Sequence, residues 1–504
     1  MDWLTLKSGS DVRGTAVGDK TVLTEEVAKA LGTAFVKKLC IEKGKSSGEI
    51  TVSLGRDSRI SGPALLKATA EGIAAAGATA ISYGMCTTPA MFMSTITDGY
   101  MADGAIMITA SHHPWNKNGL KFFTNKGGLE GKEIAGLLSE AQSLNADELP
   151  GNGRIRETPF LPVYKQQLAE RIRKGLKTKD EKPLKGLQVA VDAGNGAGGF
   201  YADLMEELGA STKGSQFLNP DGYFPNHVPN PENPDAMKSI QKAVLESGAD
   251  VGVIFDADCD RAAIVDSDGK AINRNCLIAL ISAILLEEEP GQTIVTDSVT
   301  SSGLADFIRG HGGTHYRFKR GYRNVIDEAV RLNREGVRCP LAIETSGHAA
   351  LRENHFLDDG MYLVTVLIIR AMIMKSKGER LGSIIADLKE PVESNEIRLN
   401  ITDPDFKTTG DRVINQIMNH AKANPDWHIA PDSREGIRIS FDLNGKKDAG
   451  WFLLRLSVHD PVMPLNVESD LPGGICIILQ KLYEAIKDSR GLDLKPMLEA
   501  TGIK

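Results

Sequence analysis

Residues 50–75 read ITVSLGRDSRISGPALLKATAEGIAA, which is a β-rich apolar run, a loop of small and polar residues, and an amphipathic helical pattern. The same scheme returns in Leu187–Leu208 around the loop DAGNGAGG, and in Thr293–Arg309 around the loop DSVTSSG. This order is typical of crossover units on a mostly parallel sheet, because a tight turn cannot join two parallel strands. The repeats therefore predict three similar α/β domains.

The C-terminal part of the chain has a different pattern. Three strand-like runs and a later helical run predict a smaller α+β domain there: Asn395–Ile401, Gly436–Phe441, Gly450–Leu456 and Gly474–Asp488. Clusters of Pro, Gly or charged residues mark boundaries near Glu157, Asn273 and Pro391. The predicted domains are residues 1–157, 158–273, 274–390 and 391–504.

The bulk composition excludes several classes of protein. A net charge of -7 gives no support to a nucleic-acid partner. The six cysteines are scattered, which is typical of thiols in a reducing compartment. The longest apolar stretches, Cys276–Leu286 and Tyr362–Met374, fall short of the ~20 residues of a membrane-spanning helix. Because motif-like sequence begins near Ser8, we expect no leader segment and a cytoplasmic protein, or a plastid stromal one if a transit peptide has been removed.

The first candidate site lies in residues 105–123, AIMITASHHPWNKNGLKFF. Ser111 follows a buried-looking strand, and ligands of α/β sheets collect at the carboxyl ends of strands. One serine in a loop is more often a turn or cap residue, but SHHP, NG and Lys121 in one window favour a functional role. A serine nucleophile needs a base or metal nearby, and the absence of GxSxG excludes a hydrolase nucleophile elbow.

The second candidate site lies in residues 249–266, ADVGVIFDADCDRAAIVD. Asp256, Asp258 and Asp260 alternate directly after a strand, so an extended backbone puts the three carboxylates on one side. Crowded carboxylates repel one another unless a cation neutralises them, and an all-oxygen ligand set suits magnesium. A solvated acidic turn is the alternative. Arg261 beside them is a candidate for binding a substrate phosphate.

Loops elsewhere in the chain supply polar residues for a sugar and its phosphate. In IETSGH, Glu344, Ser346 and His348 offer an acceptor, a hydroxyl and a titratable ring, although a lone histidine is more often structural. In RLSVHDP, which begins at Arg455, the donors form either a phosphate clamp or a surface turn: Arg455, Ser457 and His459. Three more loops combine glycine with arginine, namely SGSDVRG with Arg13, GRDSRISG with Arg56 and Arg59, and KRGYR with Arg323.

Together these motifs resemble the α-D-phosphohexomutases, which comprise phosphoglucomutase, phosphomannomutase and phosphoglucosamine mutase. Their usual motifs TASHNP, NGxK, DGDxDR, GExSGH and DGxFPxHxPNPE correspond to Thr109–Pro114, Asn118–Lys121, Asp256–Arg261, the 344–348 loop and Asp221–Glu232. The fourth loop departs most, since RLSVHDPVMP replaces RxSGTEPxxR. This departure is similar to a divergent plant and algal branch of the family. The resemblance implies four domains around a central cleft, with one functional loop from each.

The resemblance also implies a reaction and the residues that perform it. A phosphoserine at Ser111 would interconvert hexose 1-phosphate and hexose 6-phosphate through a bound hexose 1,6-bisphosphate, in a monomer or homodimer with one Mg²⁺ per chain. The implied catalytic residues are Ser111, Lys121, His348 and Arg13, and the implied metal ligands are Ser111, Asp256, Asp258 and Asp260. The implied substrate-binding residues are Arg261, Glu344, Ser346, His348, Arg323, Arg455, Ser457 and His459. A sugar-phosphate-binding regulatory protein with weakened catalysis and a metal-dependent sugar phosphatase are the alternatives.

Overall fold

A computed structural model describes residues 2–144, 151–457 and 460–501. These residues form two compact units, one of Met1–Leu277 with Ser346–Ile384, the other of Ile278–Thr345 with Ile385–Lys504. Across the described ranges, no helix has the length and apolar character that a membrane crossing requires.

The first sheet carries the serine loop. Its strands are β1 (Lys7–Ser8), β2 (Asp11–Thr15), β3 (Thr51–Arg56), β4 (Thr79–Met85), β5 (Gly104–Ile108), β6 (Lys117–Thr124), β7 (Gly127–Gly128) and β8 (Arg154–Glu157), and its helices are α1 (Glu25–Lys43), α2 (Gly62–Ala75), α3 (Thr88–Met93) and α4 (Gly131–Ser143). The strand order is β1-β2-β6-β5-β3-β4-β8, with β7 paired to β6. An apolar core lies between the sheet and helices α1, α2 and α4.

The second sheet carries the acidic loop and belongs to the same unit. Its strands are β9 (Val189–Asp192), β10 (Val251–Phe255), β11 (Ala262–Asp266) and β12 (Ala271–Ile272), followed or preceded by α5 (Leu161–Gly175), α6 (Phe200–Glu207), α7 (Pro234–Ser247) and the start of α8 (Arg274–Glu288). β10 pairs in parallel with β9 and antiparallel with β11. Asn233 caps α7 by accepting from two backbone amides, and Pro234 fits the first turn because its missing N–H has no helical partner.

The other unit begins with a parallel three-stranded arrangement, β14-β13-β15. These strands are β13 (Thr293–Thr296), β14 (Thr314–Arg317) and β15 (Leu341–Ile343), with α9 (Ser302–Gly310) and α10 (Tyr322–Arg334) between them. The chain then returns to the first unit for a hairpin and a buried helix: β16 (Ala349–Leu351), β17 (Leu357–Asp358) and α11 (Gly360–Ser376).

The C-terminal sheet is antiparallel throughout, in the order β18-β22-β21-β20-β19. Its elements are β18 (Glu393–Asn400), α12 (Phe406–Ala423), β19 (His428–Ile429), β20 (Ile437–Leu443), β21 (Lys446–Leu454), β22 (Val462–Ser469), α13 (Gly474–Ile486) and α14 (Lys495–Thr501). Helices α12 and α13 cover one face of this sheet and enclose its apolar core.

The predicted α/β fold class is confirmed, but the expectation of mostly parallel sheets is wrong for the first two. In the first sheet β6 runs antiparallel to both β5 and β2. The serine loop joins β5 to β6, so its short length makes the two strands a hairpin rather than a crossover unit. In the second sheet β10 and β11 form a hairpin around the acidic loop.

A buried ion pair holds the loop after β9. His227 lies in the segment Asp221–Glu232, and its Nε2 is 3.1 Å from both carboxylate oxygens of Asp192. Burial alone would lower the pKa of His227, but the hydrogen bond and charge of Asp192 raise the pKa above its ordinary value. The imidazolium form is therefore favoured in the folded protein.

His227→Gln is expected to lower the free energy of unfolding by about 2 kcal/mol near pH 5.5, and by less near pH 9. Because the folded-state pKa of His227 is raised, its contribution is fully present below the unfolded pKa of about 6.5 and is lost as the pH rises through the folded pKa. Urea denaturation at both pH values measures this. His428→Gln is the matched control, because His428 lies 3.4 Å from Asp448 but its side chain is 36% exposed. An equal loss at both pH values would contradict the assigned charge.

Candidate functional site

Two strands of the first unit end beside each other and bring the serine loop to the acidic loop. Ser111 follows β5, and Asp256 follows β10 directly, so both lie at the carboxyl ends of strands. The Ser111 hydroxyl donates to Asp256 Oδ2 at 2.7 Å, and both residues are fully buried. The structure therefore brings together the two candidate sites that the sequence placed 145 residues apart.

The three aspartates form a buried cluster in which one oxygen from each lies within 4.8 Å of the others. Asp258 Oδ1 and Asp260 Oδ1 have no hydrogen-bond partner among the described residues. Burial, and then the charges of Asp260 and Asp258, raise the pKa of Asp256 well above its ordinary value. Orphaned buried carboxylate oxygens are costly, so these residues fit a hard divalent cation. The group can hold a metal ion.

Lys121 supplies the one ammonium that touches this cluster in the described part of the chain. Its Nζ donates to Asp258 Oδ2 at 2.8 Å and also to Asp260 Oδ2, and the side chain is almost completely buried. Burial alone would raise the pKa of Asp260, but Lys121, His348 and Arg261 together hold it below its ordinary value. Lys121 and the Arg261 guanidinium, whose Nε lies 3.8 Å from Asp256 Oδ2, put two positive charges against three carboxylates, which leaves negative charge for a cation to neutralise.

Arg261 faces the serine from the other side. Its Nη2 lies 3.4 Å from Ser111 Oγ and donates to His112 Nδ1 at 2.7 Å. Burial, and then the positive charge of Arg261, lower the pKa of His112 to about 2, so His112 stays neutral and accepts that hydrogen bond. Arg13 in β2 is a further cation that lowers this pKa, and its own guanidinium pairs with Asp11 at 2.7 Å. The guanidinium of Arg261 thus lies beside the Ser111 hydroxyl, where its donors can contact an anion.

His348 lies at the edge of the same group. Its Nδ1 is 2.5 Å from Asp358 Oδ2 and 3.9 Å from Asp260 Oδ1. Asp358 Oδ1 also accepts from the backbone amide of Ala349, which fixes the carboxylate. A proton on Nδ1 shared with Asp358 leaves Nε2 as an acceptor. Ser346 is buried two residues before His348.

The remaining predicted residues belong to the second unit. Glu344 accepts from the backbone amide of Gly321 at 2.6 Å, so the IETSGH and KRGYR loops touch. Arg323 instead pairs with Asp327 along α10 at 3.0 Å. Arg455 lies 4.0 Å from Glu435, which also accepts from the amide of Arg320.

The fourth loop has the geometry of a turn in its described residues. Ser457 Oγ accepts from the backbone amide of Asp460 at 3.3 Å, and the Ser457 amide donates to the carbonyl of Val462. The guanidinium of Arg455, two residues earlier, is mostly buried. His459 lies outside the described residues.

Two residues of the first unit, Thr88 and Asp358, contribute to the site although the sequence did not single them out for it, and His112 of the predicted SHHP motif contributes as well. Thr88 donates from its hydroxyl to Asp258 Oδ2 at 2.5 Å and from its amide to the Asp258 carbonyl at 2.9 Å. Asp358 orients His348, and His112 accepts from Arg261. For Thr88 a signal existed, since TTP after β4 marks a helix start at a strand end.

Comparison with known proteins shows which family the chain is similar to. Three domain families described as phosphoglucomutase/phosphomannomutase, alpha/beta/alpha domains I, II and III, match residues 5–143, 163–269 and 273–392. A phosphoglucomutase of Neisseria gonorrhoeae is 28% identical over 480 residues, which are 95% of this chain and 96% of that protein. A phosphomannomutase of Escherichia coli is 30% identical, covering 94% of this chain and 97% of that protein. The crystal structure of a phosphoglucomutase/phosphomannomutase family protein from Burkholderia thailandensis superimposes with a TM-score of 0.80 at 27% identity, over 97% of this chain and 98% of that one.

Proposed function

The chain belongs to the phosphoglucomutase/phosphomannomutase family and is therefore an isomerase that works by intramolecular phosphotransfer, and we propose that Ser111 is its phosphoryl carrier. The observation that carries this proposal is the hydrogen bond of 2.7 Å from Ser111 Oγ to Asp256 in a buried cluster of three aspartates. A hydroxyl that lies against a group able to hold a cation is the arrangement that a phosphoserine intermediate requires.

The metal proposed for this cluster is one Mg²⁺ per chain. Asp256, Asp258 and Asp260 would hold it, together with an oxygen on Ser111. The orphaned oxygens of Asp258 and Asp260 support the assignment. When bound, such an ion neutralises charge on a transferring phosphoryl group. The hard, all-oxygen donor set favours magnesium over a softer metal.

The proton transfers are proposed for His348 and Lys121. His348 Nε2 takes the proton from the free hydroxyl of a hexose monophosphate, since Nδ1 is committed to Asp358. The phosphoryl group starts on Ser111. As the sugar oxygen bonds to its phosphorus, the bond between that phosphorus and Ser111 Oγ breaks, and Lys121 gives a proton to Ser111 Oγ. The product is a bound hexose 1,6-bisphosphate. After it reorients, the reverse sequence returns the other phosphoryl group to Ser111.

We propose that arginine side chains and polar residues of several loops bind the substrate. Arg261 and Arg13 would stabilise the transferring phosphoryl group, and Arg261 already lies 3.4 Å from Ser111 Oγ. Glu344, Ser346 and His348 would bind sugar hydroxyls. For the phosphate that is not transferred, the proposed donors are those of the later loops: Arg323, Arg455, Ser457 and His459.

Four domains with the boundaries predicted from the sequence remain our proposal for the organisation of the chain, as does a monomer or homodimer for its working state. The described ranges hold all six cysteines, and no disulfide forms among them. The scattered positions of the cysteines in the sequence support a reducing compartment, for which we propose the cytoplasm or, after removal of a transit peptide, the plastid stroma.

A coupled assay tests the function. The purified protein is given glucose 1-phosphate, mannose 1-phosphate or glucosamine 1-phosphate, each with a trace of the matching bisphosphate, and formation of the 6-phosphate is followed. We expect isomerisation of at least one sugar. Inorganic phosphate as the main product would instead indicate a phosphatase. Binding without turnover of any sugar would indicate a regulatory protein.

A further inference from the structure

Arg59 lies beneath the serine loop and is completely buried. Its Nη2 donates to the carbonyl oxygens of Ser111 at 2.5 Å and His113 at 2.6 Å, and its Nη1 donates to those of Pro114 at 2.8 Å and Lys117 at 2.9 Å. The N–H groups of both terminal nitrogens are therefore all directed at backbone carbonyls of the serine loop. The guanidinium connects the two ends of the serine loop.

Asp57 holds the same loop through Thr109. Asp57 Oδ2 accepts from Thr109 Oγ1 at 2.7 Å, and Thr109 Oγ1 accepts from the amide of Ser111 at 2.9 Å. The other oxygen of Asp57 accepts from the amide of Arg59, and the carboxylate neutralises the guanidinium at 3.2 Å. Asp57 and Arg59 follow β3, which lies next to β5 in the sheet, so two neighbouring strand ends are joined.

The segment that matches DGxFPxHxPNPE covers this arrangement. The ring of Phe224 lies 5.1 Å from the Arg59 guanidinium carbon. A Cβ at Gly222 would lie 2.5 Å from the carbonyl oxygen of Ser58 and the amide of Ile60, so only glycine permits this approach. The second sheet's part of the unit therefore helps to bury these hydrogen bonds, and burial strengthens them.

The backbone of Ser111 shows what the contacts accomplish. Its φ is +51°, in the left-handed region that residues other than glycine rarely adopt. Such a conformation persists only where its surroundings determine it, and here the amide and the carbonyl of Ser111 are both held. The direction of the Ser111 side chain toward Asp256 depends on this backbone.

We propose that Asp57, Arg59 and Thr109 are positioning residues that hold Ser111 in the left-handed conformation needed for phosphoryl transfer. The inference rests on the proposed function of Ser111 as carrier. None of the three side chains takes part in the bond changes. They act by keeping Ser111 Oγ in place, and small displacements of a reacting atom cost rate rather than affinity.

Thr109→Val tests this, with Thr109→Ser as the matched control. Valine keeps the shape of threonine but removes the hydroxyl. Serine keeps the hydroxyl and removes only the methyl group. In the valine variant we expect kcat to fall about 10- to 100-fold with KM within about twofold of wild type. Phosphorylation of Ser111 by glucose 1,6-bisphosphate, followed by intact mass, should slow by the same factor. The serine variant should recover most of both rates.

Arg59→Ala adds a second readout, because free guanidinium ion at non-denaturing concentration should partly restore the rate of phosphorylation. Equal rates in the valine and serine variants, or a change in KM alone, would overturn the inference. Should Arg59→Ala fail to fold, the comparison at Thr109 decides the matter. Wild-type protein that takes no phosphate on Ser111 would overturn the proposed function instead, so the two failures are distinguishable.

Discussion

Ser111→Ala is expected to lower the rate of hexose phosphate isomerisation by at least about 10⁴-fold, as for loss of the nucleophile in other covalent mechanisms. The phosphoryl group then has no acceptor between its departure from one sugar oxygen and its arrival at the other. Alanine keeps the backbone requirements close to those of serine, so the fold should persist. The coupled assay measures the rate, and intact mass after incubation with glucose 1,6-bisphosphate should show no added phosphate.

The matched control for this substitution is Ser282→Ala in α8. Ser282 is fully buried like Ser111, and its hydroxyl has no hydrogen-bond partner among the described residues. Removing it deletes the same atom from a buried position without touching the acidic cluster. We expect wild-type rates from this variant. Turnover by Ser111→Ala above about 1% of wild type would contradict a phosphoserine mechanism, given the loss expected for a nucleophile.

Asp258→Asn is expected to remove the response to magnesium and to lower turnover at least about 100-fold. An amide supplies a weaker oxygen ligand and one negative charge fewer, in a cluster that needs a cation to neutralise it. Binding also has a readout besides activity. For the wild type, Mg²⁺ at 100 times its dissociation constant should stabilise the fold by about 2.7 kcal/mol, which a thermal melt detects. In the variant this shift should disappear.

Asp266→Asn is the matched control for the aspartate. Asp266 is equally buried in β11, but its carboxylate accepts from Arg380 and from the amide of Gly382, away from the cluster. This variant should keep both the magnesium-induced shift and the activity. Unchanged turnover and an unchanged magnesium response in Asp258→Asn would refute the assignment of the metal ligands.

The parts of the site that the sequence predicted are those encoded within a single strand and loop. One buried strand is followed by Ser111 and another by three alternating aspartates. Such polar groups lie at the edge of a sheet however the domain packs against its neighbours. The same pattern cannot reveal partners that come from other elements. Thr88 is 170 residues from Asp258 in sequence, and the direction of its hydroxyl depends on how α3 meets the acidic loop.

Strand β22 was missed for a different reason. Pro464 lies within it, and a proline usually argues against an internal strand because it cannot donate a ladder hydrogen bond. In the structure β22 is internal, between β18 and β21, and the carbonyl of Pro464 accepts from the amide of Arg455. The apolar neighbours of the proline, Met463 and Leu465, are fully buried in the core of this sheet, and their burial outweighs one missing donor. The same strand explains why the fourth loop ends where it does.

The two hydrogen bonds from Thr88 to Asp258 have a consequence for how the chain can be cut or recombined. They fasten the start of α3, in the serine-bearing part, to the acidic loop, so these two regions share one compact unit. A chimera that exchanges only residues 1–157 for those of a relative would lose the side-chain hydrogen bond of this pair unless the relative has a hydroxyl at the same helix start. The first two sheets should therefore be exchanged together, with the recombination points outside both.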